Sequence, residues 1–230
     1  MIRIPVSIFP QVAHQYAQLL VVFAVISVLY GAAVTLRQTD LKRLIAYSSI
    51  SHMGFVLLGV FALSQVSLTG ATLQMVSHGL ITGLLFAMAG VVMHNTGERD
   101  LRQLGGLSRR IPVIAVVFII AGFGSLGLPT TSGFAAEFIT FVGSFASTAV
   151  VGIKVYTILA VLGIVLAAGY ILWMVQRVFY GPALKKFNGV KDADNLEKVY
   201  MFIFVAVIML VGIYPAILTD VIKLGIPPLT

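Results

Sequence analysis

The stretch Ile111–Ser144 reads IPVIAVVFIIAGFGSLGLPTTSGFAAEFITFVGS. Apolar and small residues run to Leu128, Pro-Thr-Thr-Ser-Gly interrupts them, and a second apolar run begins at Phe134. Glu137 lies inside that second run, whereas the other seven acidic residues (Asp40, Glu98, Asp100, Asp192, Asp194, Glu197 and Asp220) lie between or beyond the apolar runs. A carboxylate at membrane depth costs several kcal/mol, roughly 3 on insertion scales, so it marks a functional site by default. Backbone freed by a helix break is tolerated only where it lines a polar cavity or is buried by protein. Burial favours the neutral acid. The N-terminus of a half-helix starting near Ser132 or Gly133 favours the anion, so the sequence predicts a group balanced between loading and releasing a proton.

Outward from this stretch, 59% of the 230 residues are hydrophobic and 10% charged, and the mean hydropathy is +1.04. A soluble domain of that composition would lack polar surface to cover itself. The apolar runs are continuous over about 20 residues, long enough for helices to cross the hydrocarbon and without the alternation of barrel strands. The fold class is therefore all-α, a polytopic membrane bundle of about six spans, one discontinuous. The spans are placed at about 16–36, 44–63, 71–94, 112–148 (broken near 129–133), 155–179 and 199–218. Residues 1–15 are read as a loop or surface segment, 16–218 as a single transmembrane domain and 219–230 as a C-terminal tail. With no cysteine in the chain, thiolate-held clusters and disulfides are excluded. No phosphate loop, metal cluster or nucleophile–base pair is visible, and the net charge of +7 resides in short loops, which is no nucleic-acid signature.

The basic residues set the topology. The connections at 37–43, 95–111 and 177–198 hold three, four and five Lys and Arg, against three in all the other connections and ends together. This bias survives only if 112–148 crosses once, as two half-helices in tandem rather than a re-entrant hairpin. The basic side then faces the cytoplasm, or the matrix or stroma of an organelle, and both termini face outward.

Two spans carry polar stripes. Ser48 and His52 share a face of the second span, and Gln74, His78 and Thr82 recur every four residues in the third. Such stripes face the bundle interior, since lipid offers them no partner. Membrane histidines serve either as interhelical hydrogen-bonding groups or as proton relays. Two at comparable depth beside a buried carboxylate favour proton handling. Glu137, His78 and His52 are thus the candidate relay, with Ser48, Gln74, Thr82, Pro129 and Ser132 in support.

Several strings carry a resemblance. TDLKRLIAYSSISHMG (39–54), SHG (77–79), LPTTSGFAAEF (128–138) and WMVQRVFYG (173–181) resemble the antiporter-like subunits of respiratory complex I, and within them the branch called subunit M, or chain 4 in mitochondria. A glutamate in the broken helix marks that branch, where related subunits usually carry lysine. The resemblance implies that Glu137 is the terminal proton carrier, with His78 and His52 on the central hydrophilic axis. It implies a subunit of about fourteen spans in two inverted repeats, of which this chain resembles the second repeat plus the last helix. The relay lysines of the first repeat have no counterpart here, so the chain alone is expected not to translocate protons. It further implies an inner or cytoplasmic membrane location, neighbouring membrane-arm subunits and lipids as partners, and no cofactor in this chain. NADH, FMN, iron–sulfur clusters and quinone are then sites of other subunits of an NADH–quinone oxidoreductase. The alternatives are a subunit of a multisubunit cation/proton antiporter or membrane-bound hydrogenase, and a non-pumping structural fragment. Thr130 departs from the family pattern, which commonly has glycine after the proline.

Overall fold

The structure is a computed structural model that describes residues 2–226. Eight helices dominate: α1 Pro10–Leu36, α2 Leu41–Phe61, α3 Gln65–Thr96, α4 Pro112–Ser125, α5 Ser132–Phe145, α6 Ile153–Phe179, α7 Asn195–Ile213 and α8 Ala216–Gly225. Among the described residues there are no strands beyond a single bridge between Asp40 and Asp100. Helices α1, α2, α3, α6 and α7 are each long and apolar enough to cross a membrane. α4 and α5 have 14 residues each. At 1.5 Å per residue each spans about 21 Å, short of the roughly 30 Å of hydrocarbon. Only in tandem do they make a sixth span.

Their register against α3 shows that they are in tandem. Asn95, near the end of α3, donates to Lys191 O at 3.0 Å, and the neighbouring Asp192 accepts from Val113 N, at the start of α4, at 2.9 Å. Midway along α3, a Cβ added at Gly124 or at Gly133 would lie 3.3 Å from Ile81. At the other end of α3, Ser64 donates to Gly143 O at 2.9 Å. The chain thus descends α3 once, with its break at mid-depth. The same contacts sort the connections. Leu41 N donates to Arg99 O at 2.9 Å and Arg110 to Asn188 at 2.6 Å, so the three basic connections interlock at one end of the bundle. At the opposite end Gln65 donates to Ile226 O at 3.4 Å.

Local chemistry sets the helix bounds and moves several of them. Pro10 opens α1, where its missing N–H costs nothing, so residues 10–15 are helical rather than loop. Their polar side chains point outward while Ala13 and Ala17 extend the buried face of α1. A reciprocal Asp194–Glu197 capping box starts α7 ahead of the expected span. Pro215 ends α7, as its ring cannot continue the helix, and the expected tail is helical through Gly225. The remainder of that tail, 227–230, lies outside the described residues. α4 begins with a proline and lacks a side-chain cap of its own, and Asp192 from the connection between α6 and α7 serves its Val113 and Ile114 amides instead. In hydrocarbon, close packing rather than water exclusion joins helices. Small residues provide it: a Cβ at Gly54 would meet Val28 at 2.6 Å, and Gly163 of α6 also seats on Val28.

Candidate functional site

Glu137, on the inner face of α5, is 5% exposed. Its Oε1 lies 3.4 Å from His52 Nδ1 of α2, and both side chains are deeply buried. It is the sixth residue of α5, beyond the first turn in which a helix N-terminus acts strongly. The expected dipole stabilisation therefore gives way to a partner from another helix. Its other oxygen faces the linker, where a Cβ at Gly127 would lie 2.5 Å from Oε2. Gly127 also has φ +67°. Only glycine meets both conditions without strain.

The opposite nitrogen of His52, Nε2, meets two hydroxyls, Ser125 Oγ at 3.1 Å and Tyr170 OH at 3.4 Å. The rings of His52 and His78 stand 5.4 Å apart, centroid to centroid. His78 in turn lies within 3.1 Å of Ser49 Oγ and 3.2 Å of Thr82 Oγ1. Ser77 donates to Ser132 Oγ at 2.8 Å, fastening α3 to the first residue of α5. Between the two histidines and Glu137 is a cavity of about 10 Å³, also lined by Gln74. That is roughly the room one water centre requires. Gln74 is 2% exposed, and its Oε1 has no hydrogen-bond partner among the described residues. A lone buried acceptor beside such a cavity fits one water held between Gln74 and the ionisable groups.

Of the residues singled out in the sequence, Glu137, His52, His78, Gln74, Thr82 and Ser132 converge on this centre. Two do not. Ser48 is buried but bonds back to Ile45 O of its own helix at 2.7 Å, the usual alternative for a serine inside a helix. Pro129 is exposed at the apex of the linker; it breaks the helix without touching the carboxylate. Ser49, Ser125, Tyr170, Gly127 and Gly212 were not singled out. Gly212 of α7 lies directly against the backbone of Thr130 and Thr131 and so holds the linker in place. A tyrosine at mid-span, where aromatic residues with polar tips are usually interfacial, was a readable signal for Tyr170.

The fold and this centre define a class: helical membrane bundles in which a discontinuous helix sets a buried carboxylate against an imidazole. Residues 1–163 match the family model described as NADH:quinone oxidoreductase/Mrp antiporter, TM, and the chain belongs to that family. It is 36% identical over 222 residues to NADH-quinone oxidoreductase subunit M of Rhodobacter capsulatus, covering 96% of this chain and 42% of that protein. With NAD(P)H-quinone oxidoreductase chain 4 1 of Synechococcus elongatus it shares 40% identity over 223 residues, again 96% and 42%. With F(420)H(2) dehydrogenase subunit M of Methanosarcina mazei it shares 39% over 195 residues, 85% of this chain and 38% of that one. The chain thus spans about two fifths of the length of the curated relatives it matches. A chain of respiratory complex I from Thermus thermophilus superposes with a TM-score of 0.88 at 29% identity, over 99% of this chain and 48% of that one. A chain of the Mrp complex from a Dietzia species, at 19% identity and a TM-score of 0.84 over 94% of this chain and 48% of that one, shares the fold.

Proposed function

We propose that this chain is the proton-handling, broken-helix half of a membrane-arm subunit of an NADH–quinone oxidoreductase, moving protons that are driven by electron transfer elsewhere in the complex. The observation that carries the reading is the 3.4 Å approach of Glu137 to His52 at the helix break. A buried ion pair and a buried neutral acid–base pair differ by one proton shift, and low dielectric penalises the charged pair while their contact compensates it. A proton arriving at either group can therefore pass to the other across their contact. His78, with Ser49 and Thr82 on its ring, extends the path away from Glu137, and the small cavity lined by Gln74, both imidazoles and Glu137 has room for one bridging water. NADH, flavin, iron–sulfur and quinone chemistry belong to partner subunits, and this chain contributes buried groups that exchange protons.

The interlocked basic end faces the cytoplasm or its organellar equivalent, and the two ends of the chain face the opposite side. Because the chain has no cysteine, single probes report this directly. Cysteine at Lys186→Cys reacts with an impermeant reagent from the cytoplasmic side only, and Val151→Cys from the other side only. The opposite pattern overturns the orientation. Function is tested in the intact membrane complex containing this chain, with electron transfer and proton flux measured together. Glu137→Gln lowers the number of protons moved per electron pair. An unchanged ratio removes Glu137 from the path.

A further inference from the structure

Tyr170 of α6 is fully buried, and among the described residues its hydroxyl has one hydrogen-bond partner, His52 Nε2 at 3.4 Å. Ser125, the last residue of α4, places its Oγ 3.1 Å from the same nitrogen. Each hydroxyl carries a proton that needs an acceptor. If Nε2 held the imidazole proton, both hydroxyl protons would lack an acceptor among the described residues, and a buried orphan donor is costly. If Nε2 is bare, it accepts from Ser125 and, at longer range, from Tyr170. The remaining proton then sits on Nδ1, which faces Glu137 Oε1 at 3.4 Å. Against an ionised Glu137, a bare Nδ1 would instead set its lone pair against a carboxylate oxygen.

We propose that Ser125 and Tyr170 are positioning residues that hold His52 in its Nδ1–H tautomer, aimed at Glu137. Neither hydroxyl touches the carboxylate; both act through the far side of the ring. Because Ser125 closes α4 at the break, the geometry of the break sets the direction in which His52 donates. The consequence for proton transfer rests on the relay reading, but the tautomer itself does not.

The test is nitrogen NMR of the full chain, labelled only at histidine, in lipid nanodiscs at neutral pH. The four histidines are separated by loss of one set of resonances in His52→Asn. The expected wild-type result is a protonated Nδ1 and an unprotonated Nε2 at His52. Tyr170→Phe combined with Ser125→Ala loses that signature, and Tyr170→Phe combined with Ser125→Thr, which retains one hydroxyl, restores it. A wild-type His52 protonated at Nε2 overturns the inference, as does a double variant with unchanged shifts. If the double variant does not fold, the wild-type spectrum alone still decides. Proton flux in Glu137→Gln complexes tests the relay separately, so either reading can fail without the other.

Discussion

Two helices of this bundle are interrupted, and they make different things of it. Both interruptions contain a proline, Pro129 between α4 and α5 and Pro215 between α7 and α8. At the first, the break lies at mid-depth and three other elements converge on it: α2 brings His52, α3 brings Ser77 to Ser132, and α7 brings Gly212 to the linker backbone. At the second, Tyr214 is 60% exposed. The nearby acid Asp220 is exposed and pairs with Lys223 of its own helix at 3.3 Å. A break frees polar backbone, but it becomes a site only where neighbouring helices bury an ionisable group against it. The two breaks are also adjacent, since Gly212, which packs on the first linker, lies two residues before Tyr214.

The sharpest test of that contrast exchanges the two acids for their amides. Glu137→Gln is expected to lower proton translocation by the complex by about 10²-fold or more, the range in which a positioned proton-transfer group acts. Asp220→Asn is expected to leave it unchanged, because an exposed pair on one helix contributes little. Equal losses would erase the distinction between the breaks. Next in size is a pair of glycines. A Cβ at Gly212 would lie 2.5 Å from the Thr130 carbonyl carbon, and backbone cannot swing aside. Gly212→Ala should destabilise the chain by about 3 kcal/mol in detergent unfolding, in the upper part of the overpacking range. Gly225 in α8 has open space where its Cβ would be, so Gly225→Ala should be neutral or up to about 1 kcal/mol stabilising.

Why one break was readable in the sequence and the other only partly so follows from range. Pro-Thr-Thr-Ser-Gly followed by a glutamate in an apolar run is local information, as are the four-residue spacings of Gln74, His78 and Thr82. These identified the discontinuous span and most of the buried centre. Ser125 and Tyr170 lie 73 and 118 positions from the histidine they touch, and no periodicity connects them. Ser48 shows the converse. Its spacing from His52 put both on one face, but a serine in a helix has a backbone carbonyl within reach and used it. Local pattern also misjudged the helix dipole at Glu137, because the carboxylate reaches across to α2 rather than back to its own N-terminus.

Thr130 sharpens the comparison within the linker itself. The resemblance to antiporter-like subunits sets it apart as a threonine where glycine is common, and the structure gives it φ +81°. A β-branched residue in the left-handed region is strained by about 1–2 kcal/mol. Thr130→Gly relieves the strain but gives the unfolded chain more freedom. The net expectation is stabilisation by about 1 kcal/mol, read as a shift in the unfolding midpoint. A loss of stability would mean that the threonine side chain supports the linker.

The smallest effect comes from carrying the contrast between buried and exposed acids to the basic end. Asp40 caps α2 through the Arg43 amide and pairs with Arg99, whose side chain is 58% exposed. Partial burial pushes the Asp40 pKa up, but the Arg43 amide and the Arg99 guanidinium outweigh it and hold the carboxyl below the usual 3.8. A carboxyl depressed in the folded state adds stability above its unfolded pKa and loses it as pH falls through the folded value. Asp40→Asn keeps a good cap residue and removes only the ion pair. It should therefore cost about 0.5 kcal/mol at pH 7, less in high salt, and nothing once acid has protonated the wild-type carboxyl. A cost that persisted in acid would belong to the cap rather than the charge, and Asp40 would then act through its own helix end, where Glu137 acts across to another helix.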